Sequence, residues 1–207
     1  ADTLGNRSVA IGMNALEVQN FTSATSNYNV AVGFGAGAEI TTGIHNTLIG
    51  GLAGDALTVG HRNVAVGKDA LKTNIGGAKN IAIGEGALST FNSGSSASDT
   101  YNTTVGHFAG GSVTTGINNT LIGGLAGDGT DDGDGNVAVG YLTLSANCGD
   151  NNTAVGITSG MVITGTDNAC FGVSAGRGIT SGSNNITIGK NAGRSGSPGG
   201  NITTGSN

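Results

Sequence analysis

Short runs that alternate aliphatic and small residues return along the whole chain, most clearly as Asn29-Val-Ala-Val-Gly33, Asn63-Val-Ala-Val-Gly67, Asn80-Ile-Ala-Ile-Gly84 and Asn136-Val-Ala-Val-Gly140. Eleven copies begin at Ser8, Asn29, Asn46, Asn63, Asn80, Asn102, Asn119, Asn136, Asn152, Asn168 and Asn185. Most steps are 16 or 17 residues and two are 21 and 22. A repeat of that length marks a solenoid, and period-two alternation marks a strand within each copy.

With the Asn as position zero, plus three is apolar in all eleven copies, from Ile11 to Ile188. Plus one is Val, Ile, Thr or Ala and shares a strand face with plus three. These two positions are expected to line the inside of the coil. Plus two, mostly Ala, then forms a small, mildly polar outer face. Gly stands at plus four in every copy, as at a corner where backbones lie close. An aliphatic at plus eleven (Ile40, Leu57, Val113, Ile163, Ile179) announces a second short strand. The expected fold is all-β, a parallel β-solenoid or β-roll of about eleven coils of ~17 residues, forming one domain over 1–207. Stacking would align Asn29, Asn46, Asn63, Asn80, Asn102, Asn119, Asn136, Asn152, Asn168 and Asn185 into a structural ladder of side-chain amides.

A longer period lies over the short one. Thr41 to Val66 recurs 73 residues later as Thr114 to Val139, the trace of a duplicated block of four coils. The two long steps place insertions at Glu17 to Asn27 and Ser89 to Thr100, where Phe21 and Phe91 sit among hydroxyl residues. These read either as display loops on a rigid scaffold or as tolerated insertions without a target.

Composition matters in three ways. Glycine supplies 41 of 207 residues, but the regular aliphatics separate the chain from low-complexity linkers. A net charge of −5 argues against general nucleic-acid binding, and no stretch is apolar for long enough to span a membrane as a helix. Cys148 and Cys170 occupy different places in the repeat and are expected to stay unpaired, Cys170 as a small packed residue. Ala1 to Gly5 and Ile202 to Asn207 read as partial coils, as expected of a processed subunit or a segment of a longer fibre. One coil buries too little to fold alone, so part of the burial is expected from other copies of the chain.

Ser8-Val-Ala-Ile-Gly12, preceded by Asn6, and its cousins at Asn29 and Asn80 resemble the head repeats of trimeric autotransporter adhesins. They are also similar to repeats of bacteriophage tail fibres. The resemblance covers essentially the whole chain, although the step here is longer than in those heads. It implies a left-handed roll, a homotrimer, and a place outside the cell or on a virion.

Four acids gather in Asp128, Asp131, Asp132 and Asp134, with an Asp-x-Asp-x-Asn run ending at Asn136. Oxygen ligands at alternate positions suit Ca²⁺, although Val137 and Thr143 replace the Gly and Glu of an EF-hand. The alternative is a solvated acidic loop. At position minus one, Arg7, Tyr28, His45, Arg62, Lys79 and Tyr101 would stack into a basic and aromatic stripe. It reads as a surface for a glycan or acidic polymer, or as an exposed corner column with no partner. Asn-x-Thr triplets such as those at Asn20, Asn102 and Asn185 follow from the repeat itself.

His45, His61 and His107 occupy three different places in the repeat, which leaves no recurring catalytic constellation. The expected function is a non-enzymatic adhesin or tail-fibre module that presents loops to a cell-surface glycan or protein. The alternative is a structural subunit that polymerises end to end through open strand edges into an extracellular filament. Neither needs a cofactor beyond the candidate Ca²⁺.

Overall fold

The computed structural model describes residues 5–21 and 23–193, so the terminal partial coils and Thr22 of the first Asn-x-Thr triplet lie outside the described residues. The chain is an all-β parallel β-solenoid of eleven coils, without a helix among the described residues. It divides into two compact units, residues 1–102 and 103–207. The first unit holds β1 (Gly5–Asn6), β2 (Val9–Ile11), β3 (Thr25–Ser26), β4 (Val30–Val32), β5 (Thr47–Ile49), β6 (Val64–Val66), β7 (Gly77–Ala78), β8 (Ile81–Ile83) and β9 (Ser98–Asp99). The second holds β10 (Thr103–Val105), β11 (Thr120–Ile122), β12 (Val137–Val139), β13 (Thr153–Val155), β14 (Ala169–Phe171) and β15 (Ile186–Ile188).

Within each unit, repeat strands pair in parallel with identical positions in register. Val30, Ala31 and Val32 face Thr47, Leu48 and Ile49, and Thr120, Leu121 and Ile122 face Val137, Ala138 and Val139. The sequence period therefore becomes a spatial column at every position.

The sidedness of the strand is the reverse of the expectation. Plus two points inward: Ala31, Leu48, Ala65 and Ala82 in the first unit, and Leu121, Ala138, Ala154 and Cys170 in the second, are fully buried. Plus one and plus three point outward, and Ile49 and Ile83 remain 40% and 38% exposed. The coil is too thin for aliphatics on both walls, so the interior takes Ala and compensates elsewhere. Where plus two is Leu (Leu48, Leu121), plus eight is Gly (Gly54, Gly127). At Ala65, Ala82 and Ala138 plus eight is Leu (Leu71, Leu88, Leu144), whereas Ala31 and Ala154 go with Gly37 and Gly160, whose space is taken by Leu48 and Leu144 of the adjacent coils. A Cβ on Gly127 would lie 2.7 Å from Leu121 Cδ2, so the two positions share one volume. The inner wall is completed by Ala at plus seven and by Ile40, Leu57, Val113, Ile163 and Ile179 at plus eleven.

Among the described residues no strand forms at the anticipated plus eleven. After the corner Gly the backbone turns repeatedly, with left-handed residues at plus six (Leu52, Asp69, Phe108, Leu125) and plus eight (Leu71, Leu88, Leu144), which breaks the pleat. Bonds between coils continue through this wall all the same, as in Leu52 N–H to Phe34 O at 2.8 Å and Gly54 N–H to Ala70 O at 2.9 Å.

Both insertions fold back onto the preceding coil, β3 pairing with β1 and β9 with β7. Phe21 and Phe91 are not displayed; both are buried. Phe91 stands at plus eleven of its coil, in the column of Ile40 and Leu57, and packs toward Gly77. What the second insertion exposes is residues 94–97, Gly-Ser-Ser-Ala.

Candidate functional site

Three features stand out from the repeat: the buried Asn ladder, the outer aliphatic face, and the corner column before the Asn.

The ladder forms, and its bonds are asymmetric. In the first unit the side-chain carbonyl of Asn46 accepts from Asn63 N–H at 3.0 Å and from Asn63 Nδ2 at 3.2 Å. Each amide nitrogen also reaches across its own coil: Asn46 Nδ2 donates to Gly60 O and Asn63 Nδ2 to Gly77 O, both at 2.9 Å. Asn80 Oδ1 receives Asn102 N–H at 3.1 Å and the Thr100 hydroxyl at 2.9 Å. The second unit repeats the scheme from Asn119 to Asn185, with Asn136 N–H on Asn119 Oδ1 and Asn168 Nδ2 on both Asn152 Oδ1 and Gly182 O. The Asn column thus joins each coil to the next, and Asn29, Asn46, Asn63, Asn119, Asn152 and Asn168 also close their own coils, whereas Asn136 Nδ2 is buried without a partner; the role is structural.

The outer face of the sheet carries two columns of aliphatics. In the first unit these are Val9, Val30, Val64 and Ile81, interrupted by Thr47, beside Ile11, Val32, Ile49, Val66 and Ile83, none of them buried. In the second unit Phe171, Ile186 and Ile188 continue the pattern, and Tyr141, Ile157 and Val173 at plus five widen it. Five or six coils ~4.8 Å apart and about 10 Å across give a patch on the order of 300 Å² per unit. That matches the largest apolar patch of an ordinary monomer, which is often functional.

The corner residues Arg7, Tyr28, His45, Arg62, Lys79 and Tyr101 come together in single file on the first unit, all with φ between 48° and 64°. Left-handed backbone costs an ordinary residue roughly 1–2 kcal/mol and is tolerated best by Gly, Asn and Asp. The second unit places Asn118, Gly135, Asn151, Asp167 and Asn184 at the same corner. Side chains of the first unit interact along the column. The Arg7 guanidinium lies 5.3 Å from the Tyr28 ring centroid and also donates to its hydroxyl, and the Tyr28 and His45 rings are 5.6 Å apart. Lys79 Nζ sits 4.8 Å over Tyr101, bonds its hydroxyl at 2.8 Å and pairs with Asp99. The Asp99 bond raises the Lys79 ammonium above its usual pKa, and the Lys79 bond lowers the Asp99 carboxyl.

The four candidate Ca²⁺ ligands do not converge. Asp134 Oδ1 accepts Ile117 N–H at 2.7 Å, while Asp134 N–H donates to Asp150 Oδ1 at 2.9 Å, a rung in a second ladder between coils. Asp131 takes the Thr114 hydroxyl, and its N–H goes to Asn147 Oδ1 at 3.0 Å. Asp132 is an exposed neighbour with no place in either ladder contact. Asp128 is half-buried three residues earlier. Among the described residues no group of three or more His, Cys, Asp or Glu side chains is placed to hold a metal ion. Alternate sequence positions here serve the backbones of neighbouring coils.

Burial raises the Asp128 carboxyl above its ordinary pKa, partly offset by a bond with Ser145, and Asp128 Oδ1 is buried without a hydrogen-bond partner. With the folded pKa above the unfolded one, Asp128 opposes folding once it ionises, and this penalty disappears as pH falls below the unfolded value. Asp128→Asn is therefore expected to raise Tm at neutral pH by about 1–2 °C, a small gain because the site is partly solvated. Melting curves from pH 7 to pH 3 should show the gap to wild type closing; a constant gap would refute the assignment.

Cys148 and Cys170 are both free and buried, and burial raises both thiols. Cys170 fills the inward plus-two site. No helix among the described residues is long and apolar enough to cross a membrane. No protein-family model, no curated protein and no solved structure matches this chain.

Proposed function

We propose that this chain is a non-enzymatic fibre or adhesin module that associates with copies of itself, as a homotrimer outside the cell or on a virion, and attaches to a cell surface. The observation that carries the reading is the outward column of Ile11, Val32, Ile49, Val66 and Ile83 in the first unit, with a column of its own from Val105 to Ile188 in the second. Half-exposed β-branched residues repeated without a polar interruption suit a face covered by an identical face. Association of identical chains answers the need of a thin coil for burial beyond its own. The number three, the left hand of the coil and the extracellular setting come from the resemblance to autotransporter heads and tail fibres. The buried Phe21 and Phe91 move any display role away from those rings, toward the exposed tip at residues 94–97 and the corner column.

Light scattering on the purified chain tests this directly. Wild type should have the mass of three chains, and Ile49→Glu with Ile83→Glu should shift it to one chain while far-UV circular dichroism stays β. At an exposed site in a monomer such changes cost within about 0.5 kcal/mol. Buried between copies, each unpaired charge costs several kcal/mol. A wild-type monomer indifferent to both substitutions overturns the reading. Long filaments would replace it with the end-to-end structural polymer.

A further inference from the structure

We infer that the corner column of the first unit, Arg7, Tyr28, His45, Arg62, Lys79 and Tyr101, is a binding rail for a linear acidic polysaccharide. Its setting rests on the attachment reading above, and it names the ligand class that attachment would use. The argument begins with backbone strain. Of six consecutive corners, all but His45 hold residues ill suited to φ near +55°, whereas the five matching corners of the second unit hold Asn, Gly or Asp. Since both units have the same corner geometry, the fold itself does not call for cations and rings there. Left-handed strain also occurs in the turned wall, at Leu52 and Leu125 for example, but at this corner the second unit avoids it and the first keeps it at five of six sites, which points to a use for the side chains.

The chemistry of the column narrows that use. Tyr28 and Tyr101 are 47% and 51% exposed, and His45 and Arg62 are exposed as well. Aromatic faces on a rigid surface pack against the C–H faces of sugar rings, while guanidinium and ammonium groups bind carboxylate or sulfate. Arg7, Arg62 and Lys79 account for three of the eight Lys and Arg residues of a chain whose net charge is −5. Asp99 neutralises Lys79, which leaves Arg7 and Arg62 as the open cations.

Spacing separates the ligand from nucleic acid. Six corners at ~4.8 Å per coil run about 24 Å in single file, with the open cations Arg7 and Arg62 about 14 Å apart and the rings of Tyr28 and His45 between them. Duplex DNA carries a charge every ~1.7 Å and demands a far denser row of Lys and Arg. A sugar chain with intermittent acidic groups fits a sparse row of cations with rings between them.

The test uses the whole chain on immobilised heparin and polygalacturonate, with neutral dextran as blank and duplex DNA as competitor. Wild type should be retained on at least one acidic polysaccharide over dextran, and DNA should compete poorly. Arg7→Asn with Arg62→Asn, and separately Tyr28→Asn with Tyr101→Asn, should each weaken retention about ten-fold or more. Asn is the residue the second unit uses at this corner, so these variants should keep or raise Tm and leave the assembly mass unchanged. Equal retention on dextran, undiminished binding by both double variants, or DNA binding as tight as the polysaccharide would overturn the rail. A monomeric mass would remove the trimeric fibre reading and leave the retention result standing.

Discussion

Gly67→Ala is expected to cost more than about 4 kcal/mol, enough to abolish a cooperative transition near that of wild type. Gly67 has φ +134°, a region that an L side chain scarcely visits. A Cβ there would lie 2.5 Å from Gly84 O and 2.6 Å from Gly84 C. Neither atom can retreat without displacing a coil, because Gly67 N–H is bound to Ile49 O at 2.8 Å and Gly84 N–H to Val66 O at 2.7 Å. The same clash recurs from Gly33 to Gly50 and from Gly123 to Gly140, so each corner glycine makes room for the carbonyl of the next. The adjacent Gly51 is the control. Its Cβ would meet nothing within 4 Å, so Gly51→Ala should be neutral or gain up to about 1 kcal/mol from the unfolded state. Urea titrations followed by far-UV circular dichroism would distinguish the two. A Gly67→Ala variant within 1 kcal/mol of wild type would disprove the close-approach argument.

Much of this architecture was legible in the amino-acid order. Coil boundaries, the parallel register, the glycine corner and the Asn ladder all follow from positions that hardly vary. Sidedness did not follow, because period-two alternation shows which residues share a face and leaves open which face is inside. Placing the larger aliphatics inward was the reasonable default, and a coil this narrow reverses it. A partial signal was present nonetheless: Leu48 with Gly54 and Leu121 with Gly127, against Ala65 with Leu71 and Ala138 with Leu144, trade volume as facing neighbours do, although Ala31 with Gly37 and Ala154 with Gly160 show that the trade also runs between coils. Phe91 was readable too, since it keeps the plus-eleven register of Ile40 and Leu57, and the insertion begins just after it. The turned wall was not readable, because Leu52, Leu71 and Phe108 adopt left-handed backbone with no compositional cue. The partners of the acidic run were hidden for a related reason: in a stack, a side chain's nearest partner is one coil away, as Ile117 is for Asp134 and Thr114 for Asp131.

Asn63→Ala should cost about 3–4 kcal/mol, combining a small cavity with a buried N–H left without its acceptor. Asn63 is fully buried, and its Oδ1 receives Asn80 N–H at 3.0 Å and Asn80 Nδ2 at 3.1 Å. Its Nδ2 donates to Asn46 Oδ1 and to Gly77 O. Alanine strands Asn80 N–H, whereas Gly77 O keeps a second donor in Asn74 Nδ2 at 2.9 Å. Asn63→Asp separates the two halves of the amide. It preserves an acceptor for Asn80 and turns the donor into an oxygen facing the oxygens of Asn46 and Gly77. At pH 7 this puts a buried charge against two acceptors, so the loss should equal or exceed that of alanine. Burial raises the folded pKa of that carboxyl above the unfolded value, so the variant regains stability as pH falls through the folded pKa, where a protonated O–H again donates. The alanine variant should show no such recovery relative to wild type. Because coils interact only with their neighbours, hydrogen exchange should speed up first around β5, β6 and β8 in both variants. Uniform loss of protection across the first unit, or an aspartate variant whose deficit ignores pH, would mean that the amide is not the bond that joins these coils.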